Sequence, residues 1–327
     1  MQLSTPPPLP NIVTADPAEA VRLLRARSAQ LLLEQRWEEA LADAEQALRL
    51  QRLLVNADPL RQLPVLVEVL NGVSAVLAGL GRAEEAVAAS EEAVGLGRRL
   101  VHGDPGRYRW WLASSLHELG LRLADQGRPA DALTPAMEAL DLFQDDLAAG
   151  ATGAAPFVAD AFESISARLV ALGMPAEAEA TLAQAVQWRR HLAGRDPVQR
   201  RRLGYALHNL GNLRGADERW AEALAAYDEA LPIFRTLAAD APDEYLPNAA
   251  LTANNRIACT MRLADWPRAL PAIEDAIAVV TELLRRGDSG RVAEVWRLQD
   301  AKATVLDRLS RTAEAAELRR GLHGTTG

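Results

Sequence analysis

Residues able to do covalent chemistry are scarce in this 327-residue chain, which has five histidines, one cysteine and one lysine. A phosphate-binding loop needs a glycine-rich turn running into lysine, and Lys302 is preceded by "RLQDA". No HExxH occurs. Cys259 has no neighbouring histidine to draw off its proton, and a single cysteine gives no intrachain disulfide and no multi-cysteine metal site. His117 and His208 occupy equivalent positions but are held a whole structural unit apart by the spacing described below, which separates them as metal ligands. What the chain does offer is donors and acceptors: Tyr205, His208, Asn209 and Asn212 within eight residues, then Asn254 and Asn255. A carboxamide both donates and accepts, so such side chains at helical spacing can hold a peptide backbone. The chemistry predicted is recognition, with no catalytic residue, no cofactor and no metal.

Composition narrows the partner. The formal net charge is −8 and the pI about 5.3, so binding gains nothing from counterion release at phosphates, and nucleic acid is excluded as the expected partner. All but one of the 36 basic residues are arginine. Ala, Leu, Glu and Arg dominate, which favours helix. The first residues, "MQLSTPPPLPNIVTADP", lack the basic and apolar regions of a secretory signal, and nowhere do 18 apolar residues run uninterrupted. No membrane partner and a cytoplasmic location are expected. "PPPLP" forbids helix, so residues 1–15 read as an extended tail and 322–327 as a second one.

The elements that must position these side chains repeat. "RWEEALADAEQALRL" at 36–50 returns as "RWAEALAAYDEALPI" at 219–233. Anchoring on the alanine of that turn gives Ala40, Ala86, Ala132, Ala178, Ala223, Ala269 and Ala315, spaced by 46 residues with one interval of 45. Alanine recurs seven residues after the anchor in six repeats. Twelve residues before it the residue is small in six of seven, and five before it stand Gly81, Gly127 and Gly173. Apolar or small residues at spacings of three, four and seven make one face of a helix. Each repeat is therefore predicted to be a hairpin of two helices of roughly 17–20 residues. An acid precedes the anchor in six of seven repeats, which suits a helix N-terminus.

Pro59, Pro105, Pro197 and Pro242 share the column nineteen after the anchor and should stop the second helix. Pro64, Pro156 and Pro247 read as helix starts. Pro135, Pro232 and Pro271 fall inside second helices and should kink them or shift their starts. "DPAE" at 16–19 reads as an N-cap with an acid at N3. The array then spans 16–321, in repeats 16–58, 59–104, 105–150, 151–196, 197–241, 242–287 and 288–321.

A small residue, an aromatic–Glu–Glu–Ala–Leu turn and alanine seven further on resemble the tetratricopeptide repeat, with Trp37, Trp220 and Trp266 in its aromatic place. The period is about twelve residues longer than usual and is similar to the long-helix variety found in kinesin light chains and bacterial arrays. The resemblance implies an all-α, right-handed solenoid of about seven antiparallel helix pairs, and protein or peptide binding in a concave groove lined by first helices.

The columns that avoid the apolar face are the candidate site. Fifteen before the anchor stand Arg25, Asn71, His117, Glu163, His208 and Asn254; Arg22, Ser114 and Tyr205 share a second column, and Asn209, Asn255 and Asn212 fill neighbouring ones. A polar column on an amphipathic helix is also what a solvated face looks like, and both readings stand at this point. The functional expectation is a noncatalytic scaffold binding a protein or peptide segment. The alternative is a peptide- or metabolite-responsive regulator acting with a separate effector. Self-association through a hairpin edge is a further option. One of Trp110 and Trp111, about 100° apart on a helix, is expected to face solvent or a partner.

Overall fold

The structure is a computed structural model and describes residues 16–194 and 196–324. The stretch 1–15, expected to be an extended tail, and the terminal residues 325–327 lie outside the described residues. Among the described residues every regular element is helical. In order these are α1 (Pro17–Leu33), α2 (Trp37–Ala57), α3 (Pro59–Gly79), α4 (Ala83–Gly103), α5 (Pro105–Asp125), α6 (Pro129–Ala148), α7 (Ala155–Ala171), α8 (Pro175–Ala193), α9 (Pro197–Ala216), α10 (Trp220–Asp240), α11 (Pro242–Arg262), α12 (Trp266–Arg285), α13 (Val292–Arg308) and α14 (Thr312–Gly324). Single 3-10 turns at Thr152–Ala154 and Ser289–Arg291 precede α7 and α13. The chain divides into two compact units, residues 1–178 and 179–327, with the division inside α8. Within each unit successive helices pack on one another as antiparallel pairs.

The turn inside each hairpin is set by one backbone conformation. Gln35, Gly81, Gly127, Gly173, Glu218, Ala264 and Ser310, each five before its anchor, all have positive φ, between 53° and 73°. This left-handed residue lets a nearby N–H cap the preceding helix: Arg82 N–H bonds to Leu77 O and Arg128 N–H to Leu123 O, at 2.9 and 3.0 Å. Glycine adopts the conformation freely, and the other four residues adopt it at a cost.

Alanine at the anchor is a packing requirement. All seven anchors are at most 1% exposed. The small column twelve before them explains why the helices come so close. Ser28, Ser74 and Ser166 each donate Oγ–H to the anchor carbonyl of their own repeat, at 2.8, 2.9 and 2.7 Å. In repeat three the same place holds Gly120, where a Cβ would lie 3.2 Å from Ala132 O. A larger side chain at an anchor would be overpacked, at a cost of about 1–3 kcal/mol.

The proline columns behave differently from one another. Pro59, Pro105, Pro197 and Pro242 each open the next helix at its first position, where a missing N–H costs nothing. Asp58, Asp104 and Asp196 cap those starts by accepting from Arg61 N–H, Arg107 N–H and Val198 N–H. Pro64 and Pro247 are therefore not helix starts. They lie in the second turn of α3 and α11, and only Pro156, at the second position of α7, begins a helix. Pro135, Pro232 and Pro271 move no boundary, because α6, α10 and α12 begin upstream of them and run on past them. Asp16 precedes α1 without a side-chain cap, and Glu19, the expected N3 partner, is engaged by Arg22 instead.

The turn tryptophans are structural. Trp37 lies where a Cβ on Gly79 would collide with its ring, and Arg262 and Arg308, in the equivalent place one repeat on, stack over Trp220 and Trp266 at 5.4 and 5.5 Å. Among the described residues α3 is the one helix long and apolar enough to cross a membrane, and half of that stretch is buried inside the structure.

Candidate ligand-binding face

In the first unit the polar columns of the odd-numbered helices bond to one another across repeats. Arg25 on α1 donates to Glu68 on α3 at 2.5 Å, and the indole N–H of Trp111 on α5 donates to the other oxygen of that carboxylate at 2.9 Å. Glu68 thus ties three first helices. Asn71 donates to Ser115 Oγ at 3.2 Å, and Ser115 donates to Trp111 O at 2.9 Å. Arg22 stays outside this network, paired with Glu19 on its own helix. Ser114, His117 and Glu163 are half-buried on α5 and α7.

Deeper lies a charged pair of arginines. Arg122 bonds Glu118 and Asp125 at 3.2 and 3.1 Å. Arg168, 6% exposed, donates to Ser164 O and across to Gly120 O at 2.8 and 3.2 Å, locking α7 to α5. Burial pushes the Glu118 carboxyl up, opposed by Arg122, and pulls the Arg168 guanidinium down. Neither Trp110 nor Trp111 is fully exposed: Trp110 packs edge-on against Phe157 and Phe143, with ring centroids 4.5 and 5.5 Å away.

In the second unit the candidates converge on a residue of a second helix. Tyr227 on α10 is 3% exposed and sends its hydroxyl to Asn212 Oδ1 on α9 at 2.7 Å. Asn255 on α11 donates to the same Asn212 oxygen at 3.0 Å. His208 packs against the Tyr227 ring, with centroids 5.7 Å apart, and places Nδ1 2.9 Å from Thr252 Oγ1. Burial lowers the His208 pKa and raises that of Tyr227 to about 12, so both are neutral near pH 7. Tyr205 sits edge-on to Phe234 and accepts from Asn248 at 3.3 Å. Asn254 turns to Glu294 on α13, at 2.5 Å. Asn209 and Asn212 are exposed.

The structure therefore brings His208, Asn212 and Asn255 together around Tyr227, and Arg25 together with Glu68. It leaves Arg22 apart. Tyr227 and Thr252 were absent from the sequence-derived candidates, whereas Glu68 shares the column of Arg22, Ser114 and Tyr205. Tyr227 had a signal, because four residues after the anchor other repeats carry Ala44, Ser90, Ala136, Leu182 and Ile273 and only here does a phenol appear. Cys259 is buried beside Tyr227, and burial pushes its thiol up to about 11, as for an inert core cysteine. Among the described residues no three His, Cys, Asp or Glu side chains gather as metal ligands.

Paired helices stacked in register, with a laddered polar face on the first helices, define an α-helical repeat protein. Residues 112–144, in α5 and α6, match the family described as tetratricopeptide repeat. No protein with a curated description matches the sequence. Among solved structures, BtubC (BKLC) from P. vanneervenii is similar, with a TM-score of 0.60 and 18% identity over 76% of this chain and 92% of that one. The apo form of RapI follows with 0.55 and 13%, over 92% and 95%. A Rap protein complexed with competence and sporulation factor gives 0.53 and 16%, over 96% and 76%. At these identities the likeness is one of fold.

Proposed function

We propose that the chain is a noncatalytic scaffold that binds an extended protein or peptide segment along the polar face of its first helices. The observation that carries this reading is the cluster on α9 and α11, where Asn209, Asn212 and Asn255 present carboxamides beside a buried hub. The Tyr227 hydroxyl and the Asn212–Asn255 bond fix two of these carboxamides before a ligand arrives, and Asn209 is exposed one turn away from Asn212 on α9. An array of immobilised random-sequence peptides, probed with the full chain and with Asn209→Ala/Asn212→Ala, tests it. A subset of peptides bound by the wild type and weakened tenfold or more in the variant is expected. Peptides bound equally by both proteins refute the assignment of this face.

A second reading, a peptide-responsive regulator, is favoured by the rungs that join neighbouring repeats. A ligand that took over Asn212 or Asn255 would alter the bonds between α9, α10 and α11. It also accords with the Rap protein seen in complex with competence and sporulation factor. Small-angle scattering with an array-selected peptide separates the two: unchanged dimensions at saturation favour the plain scaffold.

A further inference from the structure

In the second unit the slot between α9 and α11 is filled from within. Tyr227 rises from α10 so close to α9 that a Cβ on Gly211 would lie 2.6 Å from its ring, and its hydroxyl ends on two asparagines. Four repeats earlier the corresponding slot, between α1 and α3 and floored by α2, is open, with a cavity of about 430 Å³. The register says why. The counterpart of Tyr227, four after the anchor, is Ala44. The counterparts of Asn212 and Asn255, eleven and fourteen before their anchors, are Ala29 and Gly72. The counterpart of His208, which packs on the ring, is Arg25. All four line the cavity, and a Cβ on Gly72 would meet nothing within 4 Å.

We infer that this cavity seats an aromatic side chain supplied from outside, a phenylalanine of a bound peptide, in the place that Tyr227 fills in the fifth repeat. The inference rests on the peptide-binding reading and names what the peptide must carry. The volume lies in the range of small-ligand sites. Apart from the charged Arg22, Arg25 and Glu68 the walls are apolar or small, and Arg25 stands where His208 stands in the filled slot, placing a guanidinium at the face of the ring. The chemistry selects phenylalanine over tyrosine. Ala29 and Gly72 replace the two side chains that satisfy the Tyr227 hydroxyl. Ser28 is already committed to the Ala40 carbonyl, and Arg25 and Glu68 to each other. A tyrosine hydroxyl in this slot would lack the two asparagine partners that hold the Tyr227 hydroxyl.

The test is calorimetric titration of the full chain with acetyl-Gly-Ala-Phe-Ala-Gly-amide and its Tyr and Ala counterparts. Saturable binding of the Phe peptide, about tenfold weaker binding of the Tyr peptide and none of the Ala peptide are expected. The quadruple change Ala44→Tyr, Ala29→Asn, Gly72→Asn, Ser28→Gly rebuilds the internal plug of the fifth repeat, Ser28 standing where Gly211 makes room for the Tyr227 ring. It should abolish Phe-peptide binding while keeping a folded, helical chain, read by circular dichroism. Should that variant fail to fold, Gly72→Leu fills the slot from a position with free space around it. No saturable Phe-peptide binding, equal affinity for Phe and Tyr, or Phe binding that survives the plug overturns the proposal. Array peptides that ignore the plug but are lost with Asn209→Ala/Asn212→Ala overturn the slot and leave the broader peptide-binding reading intact.

Discussion

Glycine-to-alanine substitution should change sign between two places in neighbouring helical hairpins. Gly127 ends α5 at a φ of 71°, and a Cβ there would meet nothing within 4 Å. Its replacement by alanine therefore adds no clash and only forces a left-handed Cβ, which costs about 1–2 kcal/mol. Restricting the unfolded chain returns about 0.5–1 kcal/mol. The net is a loss of up to about 1.5 kcal/mol. Gly95 lies inside α4, is exposed, and has the same empty surroundings. There the left-handed term is absent, and alanine should gain about 1 kcal/mol. Because a repeat array need not unfold as one cooperative block, the assay is native-state hydrogen exchange, read separately at α3–α4 and α5–α6. Opening free energies should fall around Gly127→Ala and rise around Gly95→Ala. Ala264→Gly, at a φ of 53°, should stabilise its own hairpin. If Gly127→Ala and Gly95→Ala move stability in the same direction, the reading of the turn column is wrong.

Three further outcomes are expected. Gly211→Ser restores the residue type of this column in repeats one, two and four, yet should destabilise by about 1–3 kcal/mol because Tyr227 occupies the space; adding Tyr227→Ser should recover part of the loss in urea unfolding. Ser74→Ala removes the donor to Ala86 O and leaves the buried Ser90 hydroxyl, now 2.7 Å from Ser74 Oγ, without that partner; a loss of about 1–3 kcal/mol is expected, and an unchanged urea midpoint would sink the idea that the serine stitches the hairpin. Burial lowers the folded-state pKa of His208, so on acidification the unfolded chain takes up its proton first, and stability falls as pH drops below the ordinary value of 6.5. His208→Gln should flatten that part of the melting-temperature profile between pH 7 and 5, and an identical profile would show that His208 does not contribute to it.

The repeat was legible because packing imposes it. An anchor that is alanine in all seven repeats, and a partner that is small in six of them, leave marks at intervals of 46 residues, once 45. Three of the seven left-handed turns were marked by glycine. Gln35, Glu218, Ala264 and Ser310 carry no such mark, and only the period points to them. Pro59 and Pro242 do close the second helices as their column suggested, but that each also opens the next helix was not legible, because a single residue, Asp58 or Ala241, separates the two. The polar columns were visible, but not their pairing. Arg25 meets Glu68 and His208 meets Thr252, across 43 and 44 residues, offsets that fall short of the period because each first helix leans on a different turn of its neighbour. Tyr227 was missed because it belongs to a second helix, and the site was sought on first helices alone.

The one-residue links at Asp58, Asp104 and Ala241 leave no slack between hairpins, whereas α6 to α7 and α12 to α13 are joined through exposed glycines, Gly150 and Gly153 in one case and Gly287 and Gly290 in the other. The chain thus carries two natural seams. A reporter domain spliced in at either seam, or new termini opened there by circular permutation, would leave every anchor alanine in its own hairpin, with contacts such as Arg168–Gly120, Trp110–Phe157 and Asn254–Glu294 reaching across.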